Sequence, residues 1–430
     1  MSIRLPEPDS LYRTPNRQNG ITDPIWPTAF PTSLDADKKR AYREEYAGRV
    51  ARQKDQTILR ANILTEGQAP LINILKLITK FITEEALEEP SHSHAPVLED
   101  IPDTYRVTIT LGLGSTLFDA ADGRDRFGVA HQIPRYLKPM PHFPGHHIDF
   151  DPKARASDII FNVSSDHPYV NVAVVRFFTD YFNQRYRESF APDTTADVLA
   201  FFGVETGYAR KDKREYLKFD DGIDNINMSS DDLQRLVYVE ETDHEPNWCT
   251  NGSYMVYLKI KERLTEWESM DERDQEAAIG REKESGCPLS MQKTGPTSMV
   301  PVYPDPTSDQ DGPLDAHIRK VQPRRPGVDL FGMQDLERRF LRRPYPFFDG
   351  LDDKGNAICG LQFIAFMKSL QHQFEHVTNM WQMNKNFPVT NTGIDKLYSS
   401  GVLKNVDGGY YFCPPGLKSP EDFLGSGMFE

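Results

Sequence analysis

The chain has 430 residues, 50 of them basic and 64 acidic, for a formal net charge of -14 at pH 7. That balance excludes the basic footprint that a nucleic-acid or anionic-membrane partner calls for, and no apolar run is long enough to span a bilayer. The start shows neither a twin arginine nor a signal-peptide core, so a cytoplasmic protein is expected, and the length suits two domains or one duplicated unit.

Residues 1–55, rich in proline and charge, read as an N-terminal extension or insertion. From residue 56 the pattern sharpens. "TILRANI" alternates like a strand, "APLINILKLITKFITEEAL" has helical spacing, and "YRVTITLGLG" alternates again. The acidic stretch between that helix and strand reads as a surface loop, and its His92 and His94 have no nearby third metal ligand. "DIIFNVSSD" predicts a further strand and "PYVNVAVVRFFTDYFNQRY" a long amphipathic helix.

The second half repeats this rhythm: strand "NGSYMVYLKI", helix "KERLTEWESMDERDQEAAIGR", a proline-rich crossing over 288–330, strand "GLQFIAFMK" and helix "LQHQFEHVTNMW". The expected architecture is α+β, with an N-terminal half at 56–235 and a C-terminal half at 236–430. A structureless crossing of that length inside a compact protein is usually functional.

Several stretches could carry chemistry. In "REYLKFDDGIDN" two adjacent carboxylates, Asp220 and Asp221, precede Gly222; Asp before Gly is first of all a turn signal. "HQFEH", from His372 to His376, fits the H-x-x-E-H zinc pattern, but the chain after it is short for a further acidic ligand. The four cysteines, Cys249, Cys287, Cys359 and Cys413, form no C-x-x-C. "GNAICG" around Cys359 lacks the upstream Phe of a haem-thiolate loop. In the crossing, His317 of "GPLDAHIRKVQPRRPG" stands before a basic, proline-stiffened segment, as a metal-ligating histidine could. "RRFLRRPYPFFDG" follows, with four arginines in six residues.

Taken together these segments resemble the dye-decolorising haem peroxidases. "LKFDDGIDN" is similar to that family's G-x-x-D-G motif, "LDAHIRKVQP" to its iron-ligand segment and "FLRRPYPF" to its arginine segment. The likeness extends from about residue 13 through "NRQNGITDP", which looks like the opening strand, "VTITLGLGSTLFD", "NGSYMVYLKIKERLTEWESM" and "YYFCPPG". It implies two ferredoxin-like halves with antiparallel sheets, in the manner of a dimeric α+β barrel, with one haem b per chain held mainly by the C-terminal half.

Carried over by position, the resemblance makes His317 the iron ligand, Asp221 the distal carboxylate and Arg342 the distal arginine, with Arg343 the fallback. Gly222, Phe363 and Phe366 would join Asp221, Arg342 and His317 around the cofactor. Asp395 is the expected partner of the ligand's second nitrogen, with Asp315 the local alternative. The chain departs from the motif at Lys218, where the family has glycine; a relaxed backbone is expected there. The implied activity is reduction of hydrogen peroxide coupled to one-electron oxidation of phenolic, dye-like or other small organic donors, and a homo-oligomer is left open. A specialised pathway oxidation or haem handling is the alternative. Trp248, Trp267 and Trp381 are candidate electron relays, although most such residues only pack.

Overall fold

Alternate side chains of a strand point to opposite faces, and "DQTILRANI" obeys that period as strand β1 (Asp55–Ile63). The computed structural model describes residues 17–21, 52–87, 93–98, 101, 105–120, 123–210, 212–226, 231–291, 300–301, 303, 305–310 and 312–430. His92 and most of the expected N-terminal extension lie outside these. After β1 come α1 (Gln68–Lys80), β2 (Thr108–Gly114), β3 (Ile159–Ser165), α2 (Pro168–Arg176), α3 (Phe182–Phe190) and β4 (Leu199–Tyr208). A π-helical turn extends α1 through Glu85, and another joins α2 to α3.

The chain continues through α4 (Asp231–Val237), β5 (Ser253–Glu262), α5 (Leu264–Glu268), α6 (Glu272–Ile279) and α7 (His317–Val321). It ends with β6 (Leu341–Arg342), β7 (Tyr345–Leu351), β8 (Ala357–Met367), α8 (Phe374–His376), α9 (Lys396–Ser399) and β9 (Leu403–Cys413). The single helix expected after β5 is two, because Asp271 accepts from the backbone of Asp274 and caps a new one. "NRQNGITDP" is not a strand where it is described. Instead Gln18 docks on β2 by donating to the carbonyls of Leu111 at 3.0 Å and Pro414 at 3.1 Å.

All nine strands belong to one antiparallel sheet of order β4-β1-β3-β2-β9-β5-β8-β6, with β7 also on β8. Numbered within its own half, the first set reads 4-1-3-2, and so does the second when β6 and β7, which both pair with β8, are counted as one interrupted strand; this is the ferredoxin-like order. The halves join edge to edge where Leu113 and Gly114 of β2 pair with Phe412 and Tyr411 of β9. The sheet then curls until β4 packs against β7. Tyr345 Oη donates to the Gln53 carbonyl at 2.9 Å across this closure, and Arg343 donates to the Gln53 side chain at 2.9 Å.

The closed sheet has two faces with different contents. Outward residues pack under the helices, and in the first half that gap is filled by Phe81, Phe161, Phe177, Phe178 and Phe182; Phe81 and Phe177 stack with centroids 3.6 Å apart. Inward residues combine an apolar layer of Ile58, Ile160, Met255, Ile364 and Phe366 with buried polar groups. Arg60 lies among these, bonded to Asp407 at 3.0 and 2.5 Å through two nitrogens, and the carboxylate raises the guanidinium's pKa despite burial. Among the described residues no helix is long and apolar enough to cross a membrane.

An ion pair this buried is far costlier to break than to omit. Asp407→Asn should therefore destabilise the fold by about 3–5 kcal/mol, read from the urea midpoint. A loss below about 1 kcal/mol would mean that the pair behaves as a solvated one.

Candidate functional site

Between the sheet of the second half and its covering segments lies a cavity of about 1750 Å³, counted to its open mouth. Its floor is the outward face of β5, β8 and β9, with Leu258, Ile260, Leu361, Phe363 and Leu403. The crossing that needed a reason supplies His317 to its wall, at the start of α7.

His317 is held from behind. Its Nδ1 lies 2.7 Å from Asp395 Oδ2, and Asp395 is fully buried. The same carboxylate accepts from Gln382 Nε2 at 2.9 Å and, through Oδ1, from the Leu397 backbone at 3.0 Å, so its position is over-determined. An acceptor on Nδ1 assigns the proton to that nitrogen and leaves the Nε2 lone pair for a ligand. Asp315 is tied in differently, its carbonyl accepting from Lys396 N at 2.9 Å. Buried Lys320, one turn on, donates to the carbonyls of Asn384, Phe387 and Gly393 at 2.6–2.8 Å; burial pushes its pKa down to about 8. The three carbonyls fix α7 against the loop before α9.

Asp221 arrives on a tight hairpin. Arg214 bridges Asp220, Leu217 and Phe219 turn inward, and the Leu217 carbonyl accepts from Trp267 Nε1 at 3.2 Å. Lys218 between them is exposed at φ +70°, so the backbone keeps the left-handed conformation that glycine would adopt freely. The expected relaxation does not occur, because the hairpin is set by its inward anchors and by Arg214, which donates to the Lys218 carbonyl at 2.6 Å. Gly222, at φ +85°, follows Asp221 and donates its N–H to Asp221 Oδ1 at 2.7 Å.

Arg342 is brought to the same wall by two clamps. In β6 it pairs with Ala365 of β8. Asn225, four residues past Asp221, then accepts from Arg342 N at 3.0 Å and donates to its carbonyl at 2.7 Å, while Arg342 Nη2 donates to the Ile223 carbonyl at 3.2 Å. Arg343, the fallback, faces the other side and is buried against Gln53.

Of the two phenylalanines expected in the site, only Phe363 lines the cavity. Phe366 is a correction: three residues on along β8 is an odd step, which sends it to the inward face with Leu341 and Met255. The first half also contributes, since Phe143 from the β2–β3 connection lines the cavity. Neighbouring Gly145 approaches so closely that a Cβ there would sit 2.6 Å from Tyr398. The H-x-x-E-H residues are otherwise engaged: His372 with Tyr136 Oη at 3.3 Å, Glu375 with Lys138 at 2.9 Å, and His376 with the Trp381 ring. Trp248, Trp267 and Trp381 are all buried.

Glu215 and Glu262 also line the cavity, and neither was singled out from the sequence. A signal existed for Glu262, which falls on the apolar face of β5 in step with Leu258 and Ile260. Glu215 offered none.

The residues present fit an iron porphyrin. An apolar floor suits the ring, a histidine with one nitrogen held and the other available suits the iron, and Arg281 and Arg324 on the wall suit carboxylate side chains of the ring.

Comparison with known proteins gives the same picture. Residues 50–186 match the family model for Dyp-type peroxidase, N-terminal, and 212–418 match that for Dyp-type peroxidase, C-terminal. Proteins named deferrochelatase from Shigella sonnei and Escherichia coli are 29% and 28% identical over 91% of this chain and 87% of theirs. Among solved structures, a DyP-type peroxidase from Streptomyces coelicolor aligns with a TM-score of 0.68 at 22% identity, covering 87% of this chain and 92% of that one. DyPB from Rhodococcus jostii aligns with a TM-score of 0.57 at 17% identity, covering 85% and 94%.

A non-glycine residue in the left-handed region costs about 1–2 kcal/mol. Lys218→Gly removes that cost against about 0.5–1 kcal/mol of extra unfolded-state freedom, so the variant should be more stable by about 0.5–1 kcal/mol in urea unfolding. A less stable variant would show that the lysine stem packs favourably.

Proposed function

Since this chain belongs to the Dyp-type peroxidase family, oxidoreductases that act on peroxide, we propose that it binds haem b in the cavity of its second half and reduces hydrogen peroxide with Asp221, Arg342 and His317 as the working residues. The observation that carries the assignment is the convergence of a carboxylate, an arginine and an Asp395-bonded histidine on one apolar-floored cavity.

Haem, when bound, supplies the iron at which peroxide is held and its O–O bond opened. The chain's own residues handle protons and charge. Asp221 would act as the base that moves a proton from one peroxide oxygen to the other. The N–H of Gly222 on Oδ1 holds the carboxylate in place. Arg342 stabilises the negative charge that develops on the departing oxygen, and it does so without reorganising, since Asn225 and Ile223 hold it. His317 presents Nε2, and the hydrogen bond to Asp395 makes the ring a stronger electron donor. Phenolic, dye-like or other small organic donors supply the electrons one at a time.

A second reading, haem handling with weak generic turnover, is favoured by the name deferrochelatase carried by relatives covering 91% of the chain. Fast oxidation of a simple phenol supports the first reading, whereas tight haem with sluggish turnover supports the second. We extend the proposal to a cytoplasmic location, supported by four cysteines that are all free thiols, and to a division between the halves in the connection from β4 to α4, because the expected 235/236 boundary would cut α4.

Two variants separate the roles. His317→Ala should purify without a Soret band even after haem supplementation. Asp221→Asn should keep the band and lose about 100-fold or more in its reaction with peroxide; a full-speed Asp221→Asn enzyme would assign the base elsewhere.

A further inference from the structure

The wall that carries Asp221 holds two more carboxyl groups. Glu215 stands on the same hairpin, where its carboxyl accepts from the backbone N–H of Leu217 at 2.6 Å and of Phe219 at 3.3 Å. Glu262 ends β5 and is 2% exposed, and its Oε2 has no partner in the protein. Both carboxyls line the cavity, and each acts electrostatically on the other. An ionised carboxylate only accepts, so a bond between two carboxyls requires that one proton be shared between them.

We propose that Glu215 and Glu262 form a proton-sharing pair that resupplies Asp221, serving electron donors that bring no proton of their own. This rests on Asp221 being the cavity's base.

The surroundings favour the shared proton. Burial raises both groups, and the negative charge of Asp221 raises them further: Glu215 goes up to about 7 and Glu262 well above the usual carboxylate range. The other titratable groups facing the pair are Cys359, on β8, and Tyr216, whose hydroxyl is bonded to that of Tyr208 on β4. Asp220, Arg281 and Arg342 also line the cavity. Tyr208 is 40% exposed, and its hydroxyl meets that of Tyr216, the residue after Glu215.

Stoichiometry supplies the need. Each turnover is H2O2 + 2 e− + 2 H+ → 2 H2O. A phenol that gives up a hydrogen atom delivers an electron and a proton together. Ferrocyanide delivers the electron alone, becoming ferricyanide, and both protons must then come through the protein. A group that is protonated at neutral pH and close to the base meets that demand.

Infrared titration of the full chain, with and without haem, tests the pair directly. The wild type should show buried protonated carboxyl at neutral pH, of which one part is lost as pH rises through about 7, when Glu215 ionises, and another persists to higher pH, because Glu262 keeps the shared proton. Glu262→Gln gives Glu215 a permanent N–H donor in place of the shared proton, so the loss should move to lower pH. Glu215→Gln is the second variant, should the first fold poorly, and should abolish the band that titrates near 7.

In the haem-loaded protein, Glu262→Gln should slow peroxide turnover with ferrocyanide about tenfold more than turnover with a phenol. Its ferrocyanide rate should also lose the wild type's decline with rising pH near neutrality. Fully ionised carboxyls at neutral pH, or equal slowing with both donors, overturn the proposal. A chain that takes up no haem overturns the peroxidase reading instead, and the infrared bands still decide whether the proton is shared.

Discussion

Successive residues of a strand cannot face the same way, and in a sheet that closes on itself the two directions lead to two different compartments. Inward lies a mixed apolar and polar interior around the Arg60–Asp407 pair; outward, in the second half, lies the cavity. Leu341, Arg342 and Arg343 show how sharply this sorts neighbours. The first and third are committed to the interior and only the second reaches the site. Moving β6 by one residue on β8 would exchange the working arginine for the structural one, and for that reason the reciprocal clamp by Asn225 matters as much as the guanidinium itself.

The acids of the site are separated by what holds them. Asp395 is gripped by a ring N–H, an amide and a backbone N–H, which suits a fixed negative charge behind His317. Asp221 stands at the cavity wall and accepts the N–H of Gly222 through Oδ1. Glu215 is held by the backbone N–H groups of Leu217 and Phe219, and Glu262 is buried with Oε2 unpartnered. Three environments thus set these carboxyl groups apart, by the same rule that pushes the proton affinities of neighbouring acids apart.

What the sequence made legible follows from the range of each signal. Asp221, His317 and Arg342 sit in short segments whose local pattern is informative, and the strands and helices with strict periodicity were readable for the same reason. Asp395, 78 residues from His317, was reached by position in the family pattern and meets it across the fold. Phe366 failed on parity: both it and Phe363 suit a porphyrin by type, but the step between them is odd. Lys218 failed differently. A cation in place of glycine suggested a relaxed backbone, yet Leu217, Phe219 and Arg214 set the turn and the lysine conforms to it. Strands β4, β7 and β9 escaped because glycines, prolines and an exposed edge blur their alternation. The meeting of Glu215 with Glu262 could not be read locally at all, since it exists only once β5 has paired.

The two halves share one strand order but treat the space under their helices in opposite ways. In the first, stacked phenylalanines leave it solid; in the second, a long crossing and short helices leave it hollow. A hollow core forfeits the contacts that hold a fold together. Joined through β2 and β9 into a single sheet, the solid copy acts as ballast for the hollow one, so the chain can keep a pocket in half of its architecture while drawing cohesion from the other half. Substitutions that loosen the phenylalanine stack, far from any reacting atom, should therefore appear first as a cavity that no longer holds its shape.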